Sequence, residues 1–433
     1  MQRTSAEAKI ARQQPAPLPP ALGAKTFRAL QHRNFRLFWY GQLISLIGTW
    51  MQQVAQQWLV YRITDSASKL GLVAAAGTLP VLIFSLWAGV LVDRLPKRKV
   101  IVATQTAAML LALTLAALVA FDVVQFWHVI VLATLLGCVN AVDMPARQSF
   151  VPEMVGKEDL ANAIALNSSV FNGARVIGPA IAGFLVAAVG EAAAFSLNGL
   201  SYLAVIAGLL MMRLPPFENK HDYRAPLVDL SEGLRYVLND PLKRVLIGAL
   251  TVHTIFGTLH ITLMPVFARN IFVVDSVPFL RNGEARLGLL MAGFGLGALV
   301  AAISLAAIGE RVPPGKRIIT GLFVYPLAFI LFSFAPSFWL ALPLLMIGGW
   351  AMITLLATTN TLLQTSTPDA LRGRVMSLYT MSLVGLLPFG HLLAGFLAER
   401  LGSAPMAVRL GQFVVLLTAF VIYLFVPRLR QAR

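Results

Sequence analysis

Charge is what this chain has little of. Only 12% of its 433 residues are Asp, Glu, Lys or Arg, against about 25% in an ordinary soluble domain. That scarcity excludes a water-facing surface over most of the molecule. Acids are scarcer than bases, 19 against 35, for a net charge of +16. Cysteine is nearly absent. Cys138 stands alone inside an apolar run, so no intrachain disulfide exists, and a small packing role is expected of it. Clustered His, Asp, Ser or Cys are missing, and so is a P-loop. The first absence argues against an enzyme and a metal or cofactor site, the second against direct use of ATP.

Long apolar runs fill the space that charge leaves. Hydrophobic residues make up 58% of the chain, and a spanning helix needs roughly 20 of them in a row. Twelve runs qualify, with approximate limits 37–61, 70–92, 99–121, 127–148, 164–189, 193–213, 244–267, 287–308, 316–335, 338–364, 376–398 and 404–426. They are too long for strands and lack barrel alternation, so lipid leaves helices as the way to satisfy the backbone. With twelve spans, both ends and every even-numbered loop share one side. That side holds about 27 of the 35 Lys and Arg, the other about 7. This is the asymmetry of a cytoplasmic face. The basic excess is therefore topological, with some attraction to anionic lipid, and nucleic acid is not expected as a partner. Residues 1–27 read as a disordered cytoplasmic tail without the apolar core of a signal peptide.

The chain repeats itself at about half its length. Asp93-Arg94 returns as Glu310-Arg311. Gln148, Pro152 and Glu153 return as Gln364, Pro368 and Asp369. Ala182-Gly-Phe-Leu with Gly190 returns as Ala394-Gly-Phe-Leu with Gly402. The offsets are 217, 216 and 212 positions. A duplicated helical unit follows, with a substrate site expected between the halves. The expected organisation is a six-helix bundle over 28–213, a cytoplasmic linker over 214–242, a second bundle over 243–427 and a short cytoplasmic tail over 428–433. In the linker, Leu227, Leu230, Leu234, Val237 and Leu238 recur at helical spacing opposite Asp229, Glu232, Arg235 and Asn239, which predicts an interfacial amphipathic helix.

Several spans carry polar residues that lipid would not tolerate. In span 1, Gln42, Ser45, Thr49, Gln52, Gln53 and Gln56 form one stripe. It lines a cavity or bonds a neighbouring helix, and the number of amides favours the cavity. In span 5, Ser168, Asn172 and Arg175 share a face, and Arg175 is the one Lys or Arg expected deep in a span. It lies about 12 residues, or roughly 18 Å, from the cytoplasmic end. Two roles stay open for it, completion by an anionic substrate group or a structural pair with Asp143 of span 4. His253 and His260 share a face of span 7, and His391 lies near Pro388 in span 11. They are candidates for proton coupling or buried neutral histidines. Their spacing does not suit a metal. Gly293 and Gly297 of span 8 form a close-packing GxxxG. Thr354, Thr358, Asn360, Thr361 and Gln364 make span 10 polar enough to line a cavity from the second half.

The segment GVLVDRLPKRK resembles the loop 2–3 motif of the major facilitator superfamily. Gly89, Asp93, Arg94, Lys97, Arg98 and Lys99 take its positions, and Pro96 replaces the usual glycine. Arg175-Val-Ile-Gly178-Pro179-Ala-Ile-Ala182-Gly183 resembles the span 5 motif of exporters, carried here by Gly178, Pro179 and Gly183, with Ala182 and Ala174 at glycine positions. MPARQSFVPEMV, NAIALNSSVFNGARVIGPAIAGF, DLSEGLRYVLNDP and TPDALRGRVMSL look like the bacterial branch that holds enterobactin exporters and macrolide efflux pumps. The resemblance covers nearly all of residues 28–427. It implies an all-α membrane protein of twelve helices in two six-helix repeats, alternating access, a gate at the loop 2–3 motif, and proton antiport. Many proton-coupled exporters carry an acid in span 1, where this chain has glutamine, and the span 4 arginine motif of antiporters is not recognisable. Coupling then falls to Asp143, with His253, His260 and His391 behind it.

The expectation is a monomeric secondary exporter of a small organic molecule, a siderophore or drug, in the bacterial inner membrane. The cavity residues expected are Gln42, Thr49, Gln52, Gln56, Asn172, Arg175, His253, His260, Asn360 and Gln364. The alternatives are an uptake symporter and a carrier of lipid or lysolipid.

Overall fold

A computed structural model describes residues 27–214, 226–308, 311–427 and 429. Glu310, one member of the repeat, lies outside the described residues, as do residues 1–26.

The helices follow one another with little between them. The first half holds α1 (Arg33–Thr64), α2 (Ala67–Asp93), α3 (Lys97–Ala120), α4 (Phe126–Val155), α5 (Leu160–Val189) and α6 (Glu191–Leu210). A linker helix, Pro226–Asn239, precedes the second half. There α7 spans Pro241–Ile271 and α8 Gly283–Ile308, followed by α9 (Pro314–Ser333) and α10 (Phe338–Thr365). The last two are α11, built from Asp369–Thr380, Met381–Gly385 and Leu387–Arg400, and α12 (Ala404–Phe425). Eleven of these are long and apolar enough to cross a membrane. The twelfth, α1, is 32 residues long and carries the glutamine stripe that lowers its hydropathy. Large apolar side chains such as Phe184, Phe396, Phe413 and Leu424 point outward from the bundle, the arrangement lipid favours.

Local chemistry sets the helix ends. Ser66, Ser337 and Ser403 accept from backbone N–H groups at the starts of α2, α10 and α12. Asp240 caps α7 by accepting from the Leu242 and Lys243 amides. Burial pushes the Asp240 carboxyl up, but bonds from Lys243 outweigh it and hold the group below the usual carboxylate range. Gly190 and Gly402, the repeat partners, both adopt positive φ, 85° and 61°, at the α5–α6 and α11–α12 corners. Among the described residues three turns are of the wide π type, His253–Gly257 and Phe267–Ile271 in α7 and Met381–Gly385 in α11. The last lies just before Pro388, which offers no N–H to the ladder. Such turns are frequent where helices do work.

The start of α1, the linker helix and the end of α12 lie at one end of the bundle, here called the basic face. The two halves are joined unevenly between that face and the opposite one. Near the opposite face one continuous core runs through both halves, from Trp58 and Leu59 through Ala182 and Val186 to Phe267, Ala285 and Leu287. Toward the basic face the core divides. Phe35, Phe38, Ile101 and Phe150 pack within the first half, and Leu246, Ile318, Leu322, Val375 and Ile422 within the second.

The helix limits correct one expectation. Span 4 was expected to end at 148, but α4 continues to Val155. Arg147 therefore lies two turns inside the helix, and Arg175 is not alone as a basic residue within the spans.

Candidate functional site

The amides of α1 lead to a cavity of about 270 Å³. Thr49, Gln52, Gln53, Gln56 and Gln57 form its α1 wall, Thr78 comes from α2, Asn140 from α4, and Asn198 and Tyr202 from α6. The second half closes it with Thr262 of α7 and His391 of α11. Two bonds hold the wall. Asn198 Nδ2 donates to Gln52 Oε1 at 2.6 Å, and Thr262 Oγ1 lies 2.8 Å from His391 Nδ1. No Asp, Glu, Lys or Arg lines the cavity. It is a neutral surface of amide and hydroxyl donors and acceptors, suited to hydrogen-bonding groups and aromatic or aliphatic surface.

Of the residues expected in the cavity, Thr49, Gln52 and Gln56 stand on this wall. Gln42 sits nearer the basic face and accepts from Arg147 Nη1 at 2.9 Å. Asn172 donates back to the Ser168 carbonyl of its own helix. Asn360 and Gln364 bond each other at 2.6 Å near the basic end of α10. His253 and His260 are 1% and 0% exposed inside the second half. The wide turn there frees the Gly257 carbonyl, which accepts from Tyr325 Oη at 2.9 Å and Gln412 Nε2 at 2.7 Å. His260 stacks on Phe329 with ring centres 3.6 Å apart.

Asp143 does not pair with Arg175. Arg147, one turn along α4, takes it through Nε at 2.5 Å. Thr104 and Gln105 of α3 donate to its other oxygen at 2.6 and 3.0 Å. Arg175 instead lies between two rings, its Cζ 5.4 Å from the centre of Trp50 and 5.1 Å from that of Phe294.

The glycine motifs set how the halves meet. A Cβ on Gly288 of α8 would lie 2.5 Å from Gly183 Cα and 2.6 Å from the Pro179 carbonyl of α5. A Cβ on Gly71 of α2 would lie 2.4 Å from the His391 carbonyl and 3.2 Å from Gly395 Cα of α11. These two contacts are copies of one another, because Gly71 and Gly288 are 217 positions apart and Gly183 and Gly395 are 212 apart. Gly178, in the same motif, lets α5 lie against the Trp50 and Ile47 turn of α1.

Polar contacts close the opposite face above them. Arg269 of α7 pairs with Asp65 at 3.2 Å, Asn270 donates to Tyr61 Oη at 2.7 Å, and Glu399 of α11 accepts from Ser66 and from the Ser68 amide, both at 3.2 Å. At the basic face Lys97 and Arg98 of the loop 2–3 motif bond within their own half. Lys97 pairs with Glu153, and Arg98 donates to the Leu210 and Met212 carbonyls at the end of α6. Asp93 and Lys99 are exposed, and a Cβ at Gly89 or Gly373 would meet nothing within 4 Å.

Two pseudo-symmetric six-helix halves around a shared polar cavity, sealed at one face, define a secondary transporter. The chain belongs to the transmembrane secretion effector family, whose model matches residues 24–432, and so to the major facilitator superfamily. It is 28% identical over 404 residues to the multidrug efflux pump Tap of Mycolicibacterium fortuitum, covering 91% of this chain and 96% of that one. It is 26% identical over 376 residues to the staphyloferrin A transporter of Staphylococcus aureus, covering 85% and 90%. The enterobactin exporter EntS of Escherichia coli O1:K1 / APEC is 26% identical over 406 residues, covering 93% and 94%. Among solved structures, the nucleoside transporter NupG superposes with a TM-score of 0.69 at 13% identity, covering 92% of this chain and 99% of that one. A bacterial homologue of the human lysosomal transporter Spinster, inward-facing and unoccupied, superposes with a TM-score of 0.66 at 15% identity, covering 91% and 95%.

Proposed function

We propose that this protein is a secondary exporter of a small organic molecule, a siderophore, drug or related metabolite, in the bacterial inner membrane. The observation that carries the reading is the neutral, amide-walled cavity shared by both halves and sealed at the opposite face. The named relatives, efflux pumps and siderophore transporters, support the same direction. The Lys and Arg bias makes the basic face cytoplasmic, so the cavity is filled from the cytoplasm and discharged when the seal breaks. The protein works as a monomer embedded in lipid, with protons moving inward as substrate moves out.

Asp143 is the proposed coupling carboxylate. It is buried in a span and tied through Arg147 and Gln42 to the glutamine helix. His391 is the second candidate because it lines the cavity, whereas His253 and His260 are enclosed by aromatic rings. Asp93 is proposed to latch onto the start of α11 near Gly373 when the cytoplasmic side closes.

One observation favours a second reading. A cleft of about 400 Å³ lies between α2, α4 and α11, walled by Val81, Leu82, Met144, Met376, Met381 and Val384. Adaptable methionine surface of this kind suits an acyl chain, so a lysolipid carrier is the alternative. Everted membrane vesicles with an acidic lumen test both. A siderophore or antibiotic from a mixed panel is expected to accumulate inside, and nigericin to abolish the accumulation. Accumulation only in right-side-out vesicles would make the protein an uptake symporter, and movement of fluorescent lysolipid alone would make it a lipid carrier.

A further inference from the structure

We infer that Arg175, with Trp50 and Phe294, forms a binding site for an aromatic anion, an aryl carboxylate or phenolate. The inference rests on the transporter reading and names the substrate class of its central site. Arg175 lies midway along the 30-residue α5, where a charge is costly unless something answers it. Among the described residues no carboxylate pairs with it and no hydrogen bond reaches its guanidinium. The nearest acid expected to do so, Asp143, is already held by Arg147, Thr104 and Gln105.

What surrounds Arg175 is aromatic. The rings of Trp50 and Phe294 lie within cation–π range, and Phe171 packs edge-on against Trp50 with centres 5.6 Å apart. Rings engage the faces of a guanidinium, while its five N–H donors point outward in the plane. That edge is a fork that takes an oxyanion with two parallel bonds. A flat ring bearing the oxyanion would lie along the same aromatic wall. Trp50 belongs to the first half and Phe294 to the second, so the anion would sit where the halves meet. Arg175, Trp50 and Phe294 stand outside the wall of the neutral cavity, which begins at Thr49, next to Trp50 on α1, and carries no counter-charge of its own.

Calorimetry on the purified protein in nanodiscs, with 1-naphthoate and its neutral analogue 1-naphthamide, tests the site without requiring transport. The parent should bind the naphthoate about tenfold more tightly. Arg175→Gln should abolish that preference and leave naphthamide binding unchanged. Arg175→Lys, which keeps the charge without the fork, should lose part of the preference at unchanged melting temperature, and it serves if the glutamine variant does not fold. No preference in the parent, or an undiminished preference in either folded variant, overturns the assignment. An anion preference in a protein that exports nothing from the vesicle panel would leave the site standing and remove the exporter reading.

Discussion

Asp143 is held from three sides, by Arg147 on its own helix and by Thr104 and Gln105 on α3. A buried pair of this kind is expensive to break from one side. Removing one partner typically costs about 3–5 kcal/mol, whereas replacing both is often near neutral. Asp143→Asn alone should therefore lower the melting temperature markedly, and adding Arg147→Gln should restore most of it. If Asp143 also carries the proton, the restored double variant will exchange substrate across the membrane but will not concentrate it against a gradient. Full gradient-driven accumulation by the double variant would remove Asp143 from coupling. Arg147 escaped the sequence reading because the expected span 4 ends one residue after it, which puts it at the membrane edge, while the backbone continues as helix to Val155. Trp50 and Phe294 escaped it for the opposite reason. An aromatic ring in an apolar run carries no pattern, and only the fold brings both rings to Arg175.

At the scale of helices, the close backbone approaches between the halves include a symmetric pair of glycine contacts. Gly71 against α11 repeats as Gly288 against α5. The polar latch of Asp65, Arg269 and Glu399 lies above both. A methyl group at Gly288 would meet backbone atoms of Gly183 and Pro179 under 3 Å away, and backbone cannot rotate aside as a side chain can. Gly288→Val should therefore disfavour the sealed opposite face without disturbing the packing inside either half. In a Cys138→Ala background, the disulfide yield of Ser66→Cys with Glu399→Cys should fall several-fold when Gly288→Val is added. An unchanged yield would mean that the glycine contact does not set the seal. The repeat that relates these contacts was legible in the sequence, because the span 5 motif Ala182-Gly-Phe-Leu returns in span 11. The polar residues opposite the glutamine stripe were not. Asn140, Asn198, Tyr202 and Thr262 are scattered over three spans, and an isolated polar residue in an apolar helix does not say which neighbour it faces.

At the scale of the whole molecule, one core joins the halves near the opposite face and two separate cores serve them near the basic face. Each half thus has its own packing where the other is absent, so it can turn as a body while the shared core divides. Composition was enough to expect the twelve helices, since lipid penalises every alternative, and charge asymmetry was enough to expect which loops share a side. They carry no information on which face is sealed, because both states bury similar apolar surface within each half. The two halves are expected to exchange which face they close. Spin-label distances measured in nanodiscs test it most directly, with one pair at Lys157→Cys and Asp369→Cys on the basic face and another at Asp122→Cys and Pro336→Cys on the opposite face. Adding Gly288→Val should shorten the first distance and lengthen the second in the same molecules. Two distances that stay fixed, or that change in the same direction, would rule out such an exchange.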